Sequence, residues 1–314
     1  MILRWLVPVL ALVLLAVVPW LGNDVLVQFG TEALLMATLA QSWNILGGFA
    51  GYVSFGNSAF YGLGTYGTAI AMVQWHLPFW LGLVVGAALA VIVALVVGGP
   101  ILRLRGPYFA IVTLGISAAL AALASNIELA GKNIGLILPL TRNDTMFYEA
   151  SLGLLAVATL TVAWISRSRF GFGLIAIRED EDAAATIGID TTRHKLAALL
   201  LAAFFTAIAG GIHAYWITFI DPASAFDTTL NVRMVIMTMF GGPGTVFGPV
   251  VGAFILSAVY EVLANSISTA AALFFGIVIL LAVIFLPRGL VDLGGGFRAQ
   301  GWRYFLSTIR RYRL

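Results

Sequence analysis

The stretch that decides the fold is residues 166–195, which read SRSRFGFGLIAIREDEDAAATIGIDTTRHK. It holds ten of the 31 charged side chains of the chain, and the segments on both sides of it are almost wholly apolar. Long loops in compact proteins are usually functional. A long, charged and partly helical loop kept on one side of a polytopic protein is therefore suited to contact another protein. The stretch indicates a membrane protein that a partner drives from outside its own chain.

Composition places the rest of the chain in a lipid bilayer. Hydrophobic residues make up 61% of the 314 residues, charged residues make up 10%, and the mean hydropathy is +1.01. Soluble domains are about one quarter charged. Residues 1–314 are therefore predicted to form one all-α polytopic membrane domain, with no room for a soluble domain of ordinary size. Cysteine is absent, which excludes disulfides, thiolate metal sites and cysteine nucleophiles.

About ten apolar segments are predicted to span the membrane, since a spanning helix needs about 20 apolar residues. The segment after Arg4 is interpreted as an uncleaved first helix rather than a signal peptide, because no small-x-small site follows it. The glycine-rich region 239–252 predicts a broken or re-entrant helix, which leaves the helix count around 230–264 open. The predicted spans are residues 5–21, 28–46, 55–73, 79–101, 107–127, 149–165, 196–217, 230–241 (too short as it stands), 248–264 and 270–286.

The basic residues predict the orientation of these spans. With Arg4 inside and ten alternating spans, 14 of the 17 lysines and arginines fall on the cytoplasmic side. They cluster in the turn 102–106, in the loop 166–195 and in a basic tail, residues 288–314, which is typical of a segment lying on anionic lipid. Both termini are therefore predicted to be cytoplasmic, with a bacterial inner membrane as the default location. The three basic residues that fall elsewhere are Lys132, Arg142 and Arg233.

Two glycine-rich elements interrupt the apolar segments. The first reads GGFAGYVSFGNSAFYGLG at residues 47–64, and the second reads GGPGTVFGPVVGA at residues 241–253. Close helix packing explains such small residues, and so does an unwound backbone beside a pathway; both interpretations stay open. The two prolines of the second element predict a break between two half-helices. The candidate pathway or gate residues are Gly51, Ser54, Gly56, Asn57, Gly241, Gly242 and Gly244.

The centre of the charged loop has the pattern of a short, presented helix. Glu179 to Asp182 stand where the helix would begin, and negative charge suits the positive end of a helix dipole. The following alanines favour helix, and Gly188 can supply a left-handed cap. Such a helix is a suitable docking element, against the alternative of a solvated connector. The candidate coupling residues are Arg178, Glu179, Asp180, Glu181, Asp182, Ala183, Ala184 and Gly188.

The sequence lacks the motifs of nucleotide or metal chemistry. No Gly-x4-Gly-Lys-[Ser/Thr] motif is present, so ATP would have to be bound by another chain. The three histidines are isolated, no catalytic or metal-binding residue is predicted, and no cofactor is expected in this chain. An integral membrane enzyme is disfavoured because no nucleophile–base pair is visible. Three charged residues near lipid are expected at outer span ends, where side chains can reach the interface: Glu32, Arg233 and Glu261.

These elements together resemble the LivM-type permeases of branched-chain amino acid ABC importers, a hydrophobic amino acid uptake family. The resemblance covers residues 43–290 and depends on several stretches that occur in order. They are GYVSFGNSAFYGLGTY at 51–66, AIREDEDAAATIG at 176–188, AGG at 209–211, GGPGT and GPVVGA within 241–253, and LPRGL at 286–290.

The resemblance implies a non-enzymatic permease subunit with about ten helices, similar to the cobalamin-importer type. It implies four kinds of partner: a second related permease, two cytoplasmic ATPase subunits that bind ATP and Mg, an extracytoplasmic binding protein, and the lipid membrane; nucleic acid is not among them. It also makes residues 178–188 the coupling element, seated in a groove of an ATPase subunit.

The substrate is left open at this point. Residues 130–135 read AGKNIG where the family commonly has a Thr-Gly-Gly-type stretch. Branched-chain or other small amino acids are expected, with urea or other small amides as the alternative. An ion-coupled secondary transporter acting alone is the rival from another class, and it would need a central ionisable pair that the sequence does not show.

Overall fold

The computed structural model describes residues 14–141, 143–266, 276, 289 and 290, and most of these residues are helical. A π-helix covers Asn44–Gly48, and 3-10 helices cover Val18–Leu21, Glu128–Ala130 and Lys132–Ile134. Two short strands are β1 (Leu136–Ile137) and β2 (Phe219–Ile220). The α-helices are α1 (Asp24–Trp43), α2 (Asn57–Val73), α3 (Phe79–Ile101), α4 (Pro107–Asn126), α5 (Asp144–Ile165), α6 (Arg169–Glu179), α7 (Glu181–Thr186), α8 (Thr191–Ile217), α9 (Pro222–Ala225), α10 (Thr228–Gly241) and α11 (Gly248–Ser266).

Within this part of the chain, four helices are long and apolar enough to cross a bilayer: α3, α4, α5 and α8. The helices α3 and α4 match the predicted spans 79–101 and 107–127 to within one residue. The helix α10 has 14 residues and starts two residues before the predicted eighth span, so this segment is still too short to cross alone. The predicted spans 5–21 and 270–286 lie mostly outside the described residues, as does most of the tail.

Side-chain caps decide where several helices begin. Asn23, Asn143 and Asp190 each accept a backbone N–H from the first turn of α1, α5 and α8, at 3.2, 3.1 and 3.0 Å. Such caps pair amide groups that a helix start leaves without an intrahelical partner. The helices α1 and α5 therefore begin before residues 28 and 149, where hydropathy alone predicts their starts.

Close contact between helices depends on glycine in the centre of the bundle. The helices α2, α3 and α8 pack on one another, α1 packs on α5, and α11 packs on α1 and α10. A Cβ on Gly86 would lie 2.6 Å from the carbonyl oxygen of Gly64, and a Cβ on Gly67 would lie 2.7 Å from Cα of Gly86. Backbone approach of this kind stabilises helix pairs in lipid. The small residues at the centre of α2 therefore serve helix packing.

The charged loop 166–195 is more helical than its sequence predicts. The predicted short helix is α7, which begins after Asp180 and is followed by Gly188 at φ +89°. The helix α6 is an addition to the prediction: the Ser168 hydroxyl accepts the N–H of Gly171 at 3.1 Å, and Leu174 is fully buried against the bundle. Because the segment carries many charged residues, its sequence did not indicate the amphipathic helix that starts at the serine cap.

The bundle has two different ends. The loop end carries α6, α7, the turn 102–106, and two breaks between helices: the first break, residues 51–56, and the second break, residues 242–247. The strand end carries α9 and the antiparallel pair of β1 and β2, in which Leu136 lies opposite Ile220. The predicted half-helix break after Gly241 is therefore confirmed as the second break.

Candidate functional site

The two breaks meet at the loop end, and the end of α1 holds the second one. The Asn44 side chain accepts the N–H of Gly244 at 2.8 Å and donates to the carbonyl of Thr245 at 3.0 Å. Gln41, on α1, donates to the carbonyl of Val246 at 2.7 Å. Asn44 and Gln41 are both fully buried, and polar side chains among membrane helices need partners of this kind. The segment that leads into the first break thus fixes the second break.

The helix α10, which leads into the second break, in turn holds the first break by hydrogen bonds. Asn231 on α10 donates to the carbonyl of Phe55 at 2.6 Å and accepts the N–H of Ser58 at 2.8 Å. The indole of Trp43 donates to the carbonyl of Ser54 at 2.8 Å. The helix that leads into each break is therefore bonded to the other break.

Arg178, at the end of α6, contacts both breaks. Its Nη1 donates to the carbonyl of Gly48 at 3.1 Å, and its Nη2 lies 3.0 Å from a carboxylate oxygen of Glu179. A Cβ on Gly51 would lie 2.7 Å from Cγ of Arg178, and a Cβ on Gly244 would lie 3.0 Å from Nη1. Both glycines have positive φ, +74° and +71°, which side chains rarely adopt. Glycine is required at these two positions by backbone geometry and by the arginine.

A buried ion pair ties α7 to the first break. Lys195 Nζ donates to the carboxylate of Glu181 at 2.6 Å, to the carbonyl of Leu102 at 2.8 Å and to the hydroxyl of Tyr52 at 3.0 Å. The Tyr52 hydroxyl donates to the other carboxylate oxygen of Glu181. The side chains of Lys195 and Glu181 are only 3% and 13% exposed. Every ammonium hydrogen has an acceptor, which is the condition for keeping such a charge buried.

Arg105, from the turn between α3 and α4, fixes the outer side of α7. Its guanidinium binds both carboxylate oxygens of Asp182, at 2.9 and 2.8 Å, and its Nε lies 3.5 Å from Glu181. The Arg105 bonds and charge lower the pKa of Asp182, and the same bonds raise the pKa of Arg105. A two-point pair fixes orientation, although an exposed pair adds little stability. The orientation of α7 is thus set by Lys195 on α8 and by Arg105 in the turn before α4.

The region that contains this arrangement matches a known protein family. The family model described as branched-chain amino acid transport system / permease component matches residues 25–284. The chain belongs to this permease family. It is an integral membrane protein, in agreement with its apolar helices.

Two relatives of the permease are LivM proteins. The chain is 27% identical to the high-affinity branched-chain amino acid transport system permease protein LivM of Escherichia coli K12, over 90% of this chain and 74% of that protein. The LivM protein of Salmonella typhimurium LT2 gives the same identity and coverage. The nucleoside ABC transporter permease protein NupC of Lactococcus lactis subsp. cremoris is 26% identical over 53% of this chain and 57% of NupC. No solved structure matches. The predicted LivM-type resemblance is confirmed.

The candidate coupling residues of the permease all lie on or beside α6 and α7, but they face different ways. Ala184 is 2% exposed and packs on the bundle, Glu181 lies in the buried pair, and Arg178 turns its guanidinium toward the breaks. These three side chains make contacts within the chain. Ile187 is 74% exposed and was not among the candidates. The exposed candidates are Arg178, Glu179, Asp180, Asp182, Ala183 and Gly188.

The candidate gate residues are brought together at the loop end. Gly51, Ser54 and Gly56 lie in the first break, and Asn57 starts α2 directly after it; Gly241 ends α10, and Gly242 and Gly244 lie in the second break. The sequence pattern missed the side chains that join these elements. The amide side chains among them could have been found from the sequence, because an amide inside an apolar span needs a specific partner. The missed residues are Gln41, Asn44, Tyr52, Lys195 and Asn231.

The carboxyl of Glu181 makes the ion pair with Lys195 dependent on pH. Burial alone would raise its pKa, but hydrogen bonds from Lys195 and Tyr52, with the charges of Lys195 and Arg105, outweigh burial and hold the pKa below its ordinary value of 4.5. A carboxyl with a lowered folded-state pKa stabilises the fold above its unfolded-state pKa, and the contribution is lost as pH falls through the folded-state pKa. The ion pair therefore stabilises the fold fully at neutral pH.

We expect Glu181→Gln to lower the thermal unfolding midpoint at pH 7, and the difference from the unsubstituted protein to shrink as the pH falls below about 4.5. Unfolding curves of the purified permease between pH 7 and pH 3.5 measure this. Glu128→Gln is the control, because Glu128 is 85% exposed and its pair with Lys132 lies on the surface. A Glu181→Gln deficit that stays constant across this range would contradict the assignment.

Proposed function

We propose that this chain is the transmembrane permease subunit of an ATP-driven ABC importer for branched-chain or other small amino acids. The substrate is delivered by an extracytoplasmic binding protein, and ATP and Mg are bound by partner ATPase subunits, so the chain itself is not an enzyme. The family match and the two LivM relatives support this proposal.

The observation that carries the proposal is that the charged helical loop bonds to the first break and lies against the second. Arg178 bonds to Gly48 beside the first break and touches the second, and the Lys195–Glu181 pair holds α7 on Tyr52 of the first break. A partner that shifts α7 therefore moves the backbone where α1, α2, α10 and α11 are interrupted. Packed helices that slide or rock as rigid pieces give alternating access. The partner acts on the loop, and the helices move about the two breaks as hinges.

The proposed orientation places the loop end in the cytoplasm, with both termini on the same side. The support is the excess of lysine and arginine in the turn 102–106, the loop 166–195 and the tail. A bacterial inner membrane and about ten spans of the cobalamin-importer type complete the proposal. The exposed residues of α7, and Ile187 directly after it, then face the ATPase subunits.

Co-purification followed by reconstitution tests the proposed machine. The tagged chain is isolated from native membranes in mild detergent, and the complex is placed in liposomes with ATP inside or outside. We expect a second permease, two ATPase subunits, and uptake of radiolabelled leucine that needs both ATP on the loop side and a binding protein. A lone chain that catalyses uptake driven by an ion gradient would overturn the proposal in favour of a secondary transporter.

The substrate panel includes nucleosides as a second candidate, because the NupC relative is named a nucleoside permease. Urea and small amides complete the panel as the alternative drawn from the family resemblance. The binding protein that co-purifies decides among them by equilibrium binding. Leucine, isoleucine or valine is the expected ligand, since the LivM relatives match over 90% of the chain.

Reversing charge at the start of α7 is expected to uncouple transport. Glu179→Lys with Asp180→Lys removes an exposed acidic surface, and it also removes the Asp180 cap on the N–H groups of Asp182 and Ala183. We expect ATP-driven uptake to fall at least tenfold, while membrane insertion and the amount of protein stay unchanged. Glu128→Lys, an exposed reversal away from the loop end, is the control and should transport normally. Normal uptake by the double variant would refute the coupling role.

A further inference from the structure

A cleft opens at the loop end between the first break and the turn that joins α3 to α4. Tyr52 and Val53 of the first break, Arg105 of the turn, Ala110 of α4 and Glu181 of α7 lie in its wall. Its volume is about 340 Å³, which is within the range of pockets that hold small molecules. The cleft is therefore large enough for a ligand and not only for water.

The cleft lies at a surface of the membrane. The helices α3 and α4, on either side of the turn 102–106, have no charged residue over their 23 and 20 residues. Both are long and apolar enough to cross a bilayer. Tyr108, in the first turn of α4, is largely exposed, and tyrosine is common at the level of the lipid headgroups. A group bound in the cleft is therefore at headgroup level.

Apolar surface leads from the cleft toward the middle of the bilayer. Ile111 and Val112, one turn beyond Tyr108 on α4, are exposed. A second cavity of about 20 Å³ adjoins the cleft, because Phe109 lines both, and most of its wall is apolar side chains of α2, α3, α4 and α8. It has room for about one water-sized group, such as a methyl group. A ligand with a hydrocarbon chain can thus extend from the cleft along α4.

The elements around the cleft carry an excess of positive charge. The turn 102–106 and the loop 166–195 hold seven basic and five acidic residues, a net charge of +2, and neither break holds a charged residue. Glu181 and Asp182 are counted as ionised because the pKa of each lies below its ordinary value. Arg103 is exposed and makes no ion pair among the residues that the structure describes. The charge at this surface therefore suits an anionic ligand.

Arg105 has hydrogen-bond donors left for such a ligand. A guanidinium carries five N–H groups. Nη1 and Nη2 each donate one of them to Asp182, and Nε faces Glu181 at 3.5 Å. One N–H on each of Nη1 and Nη2 therefore has no partner among the described residues, and the side chain is more than half exposed. The planar guanidinium suits the oxygen atoms of a phosphate group.

We propose that this cleft binds the headgroup of an anionic phospholipid. Arg105 holds the phosphate, Arg103 adds to the positive potential, and an acyl chain lies along the exposed face of α4. Basic pockets between transmembrane helices recognise anionic headgroups in this way. The excess charge favours an anionic over a zwitterionic lipid, and the apolar face of α4 favours a lipid over an acidic segment of a protein. The site depends on insertion in a membrane and not on the proposed transport function.

Native mass spectrometry of the full-length chain tests the preference for an anionic lipid. The protein is purified in mild detergent with equimolar phosphatidylglycerol and phosphatidylcholine that have the same acyl chains. We expect one phosphatidylglycerol molecule to be retained at least about fivefold more often than phosphatidylcholine, the effect of one arginine near the membrane surface. Equal retention of the two lipids by the unsubstituted protein would overturn the proposal. This comparison needs no variant, so a variant that fails to fold leaves it intact.

Two substitutions assign the preference to the cleft. Arg105→Gln removes the donors, and Ala110→Phe narrows the cleft without a change of charge; each should make the retention of the two lipids about equal. Arg193→Gln is the control, because it removes the same charge from an exposed pair with Asp190, and it should keep the preference. A preference that persists in both Arg105→Gln and Ala110→Phe places the lipid elsewhere and overturns the proposal.

A photo-cross-linker in the cleft distinguishes a lipid from a protein. The chain has no cysteine, so Val53→Cys, at an exposed position in the wall of the cleft, takes up a single benzophenone maleimide. Irradiation of native membranes should give an adduct with the mass of an anionic phospholipid. Ile187→Cys, which is exposed beyond α7, is the control and should give no lipid adduct. A protein adduct in place of the lipid adduct at Val53→Cys would overturn the proposal.

Discussion

Lys195→Met is expected to abolish ATP-driven uptake and to destabilise the permease by about 3 kcal/mol. Removing one partner of a buried ion pair costs about 3–5 kcal/mol, because the other charge is left buried and unpaired. The lower end applies here, since the Glu181 side chain is 13% exposed. The substitution also removes the hydrogen bonds that Lys195 donates to Leu102 and Tyr52, so movement of the loop would no longer be transmitted to the first break through Lys195.

A double variant separates the stability effect from the coupling effect. In Lys195→Met with Glu181→Gln no unpaired charge remains, and we expect about half of the lost stability to return while uptake stays at least tenfold low. Unfolding in mixed micelles and uptake in proteoliposomes measure the two quantities. Lys132→Met is the matched control: its pair with Glu128 is exposed, and such pairs contribute less than about 1 kcal/mol. If uptake recovers with stability in the double variant, Lys195 has only a structural role.

Gly48→Ala is expected to have the second large effect, because Gly48 lies where the two breaks touch. A Cβ on Gly48 would lie 2.6 Å from the backbone nitrogen of Gly244 and would also collide with the side-chain oxygen of Asn44. The breaks would have to separate, and the Asn44–Gly244 hydrogen bond would be lost. Overpacking of this kind costs about 1–3 kcal/mol. We expect uptake to fall at least tenfold with a lower unfolding midpoint.

The control for this substitution is Gly115→Ala on α4. A Cβ there meets no heavy atom within 4 Å, and alanine favours helix over glycine by about 1 kcal/mol. Expression, unfolding midpoint and uptake should therefore equal or exceed those of the unsubstituted protein. Equal uptake by the Gly48 and Gly115 variants would show that contact between the breaks is not needed for transport.

Much of the local structure follows from short stretches of sequence. The prolines and glycines after Gly241 predict the second break, the acidic run before Ala183 predicts the start of α7, and Gly188 predicts its end. Each depends on the backbone preferences of a few neighbouring residues, which hold in any surroundings. The helix α6 was missed because the charges around it outweigh the short apolar face that it buries.

The sequence by itself determined that the chain crosses a membrane, where most of its long apolar helices lie, that a break follows Gly241, and to which permease family the chain belongs. Only the tertiary structure decided which helices touch and which polar groups meet, such as Asn44 with the second break, Asn231 with the first, and Lys195 with Tyr52. The physical reason is that these helices are surrounded by lipid and not by water. In lipid, apolar side chains suit every face of a helix, so hydrophobic periodicity does not mark the packed face. The contacts are set by glycine packing and buried hydrogen bonds between residues far apart in the chain.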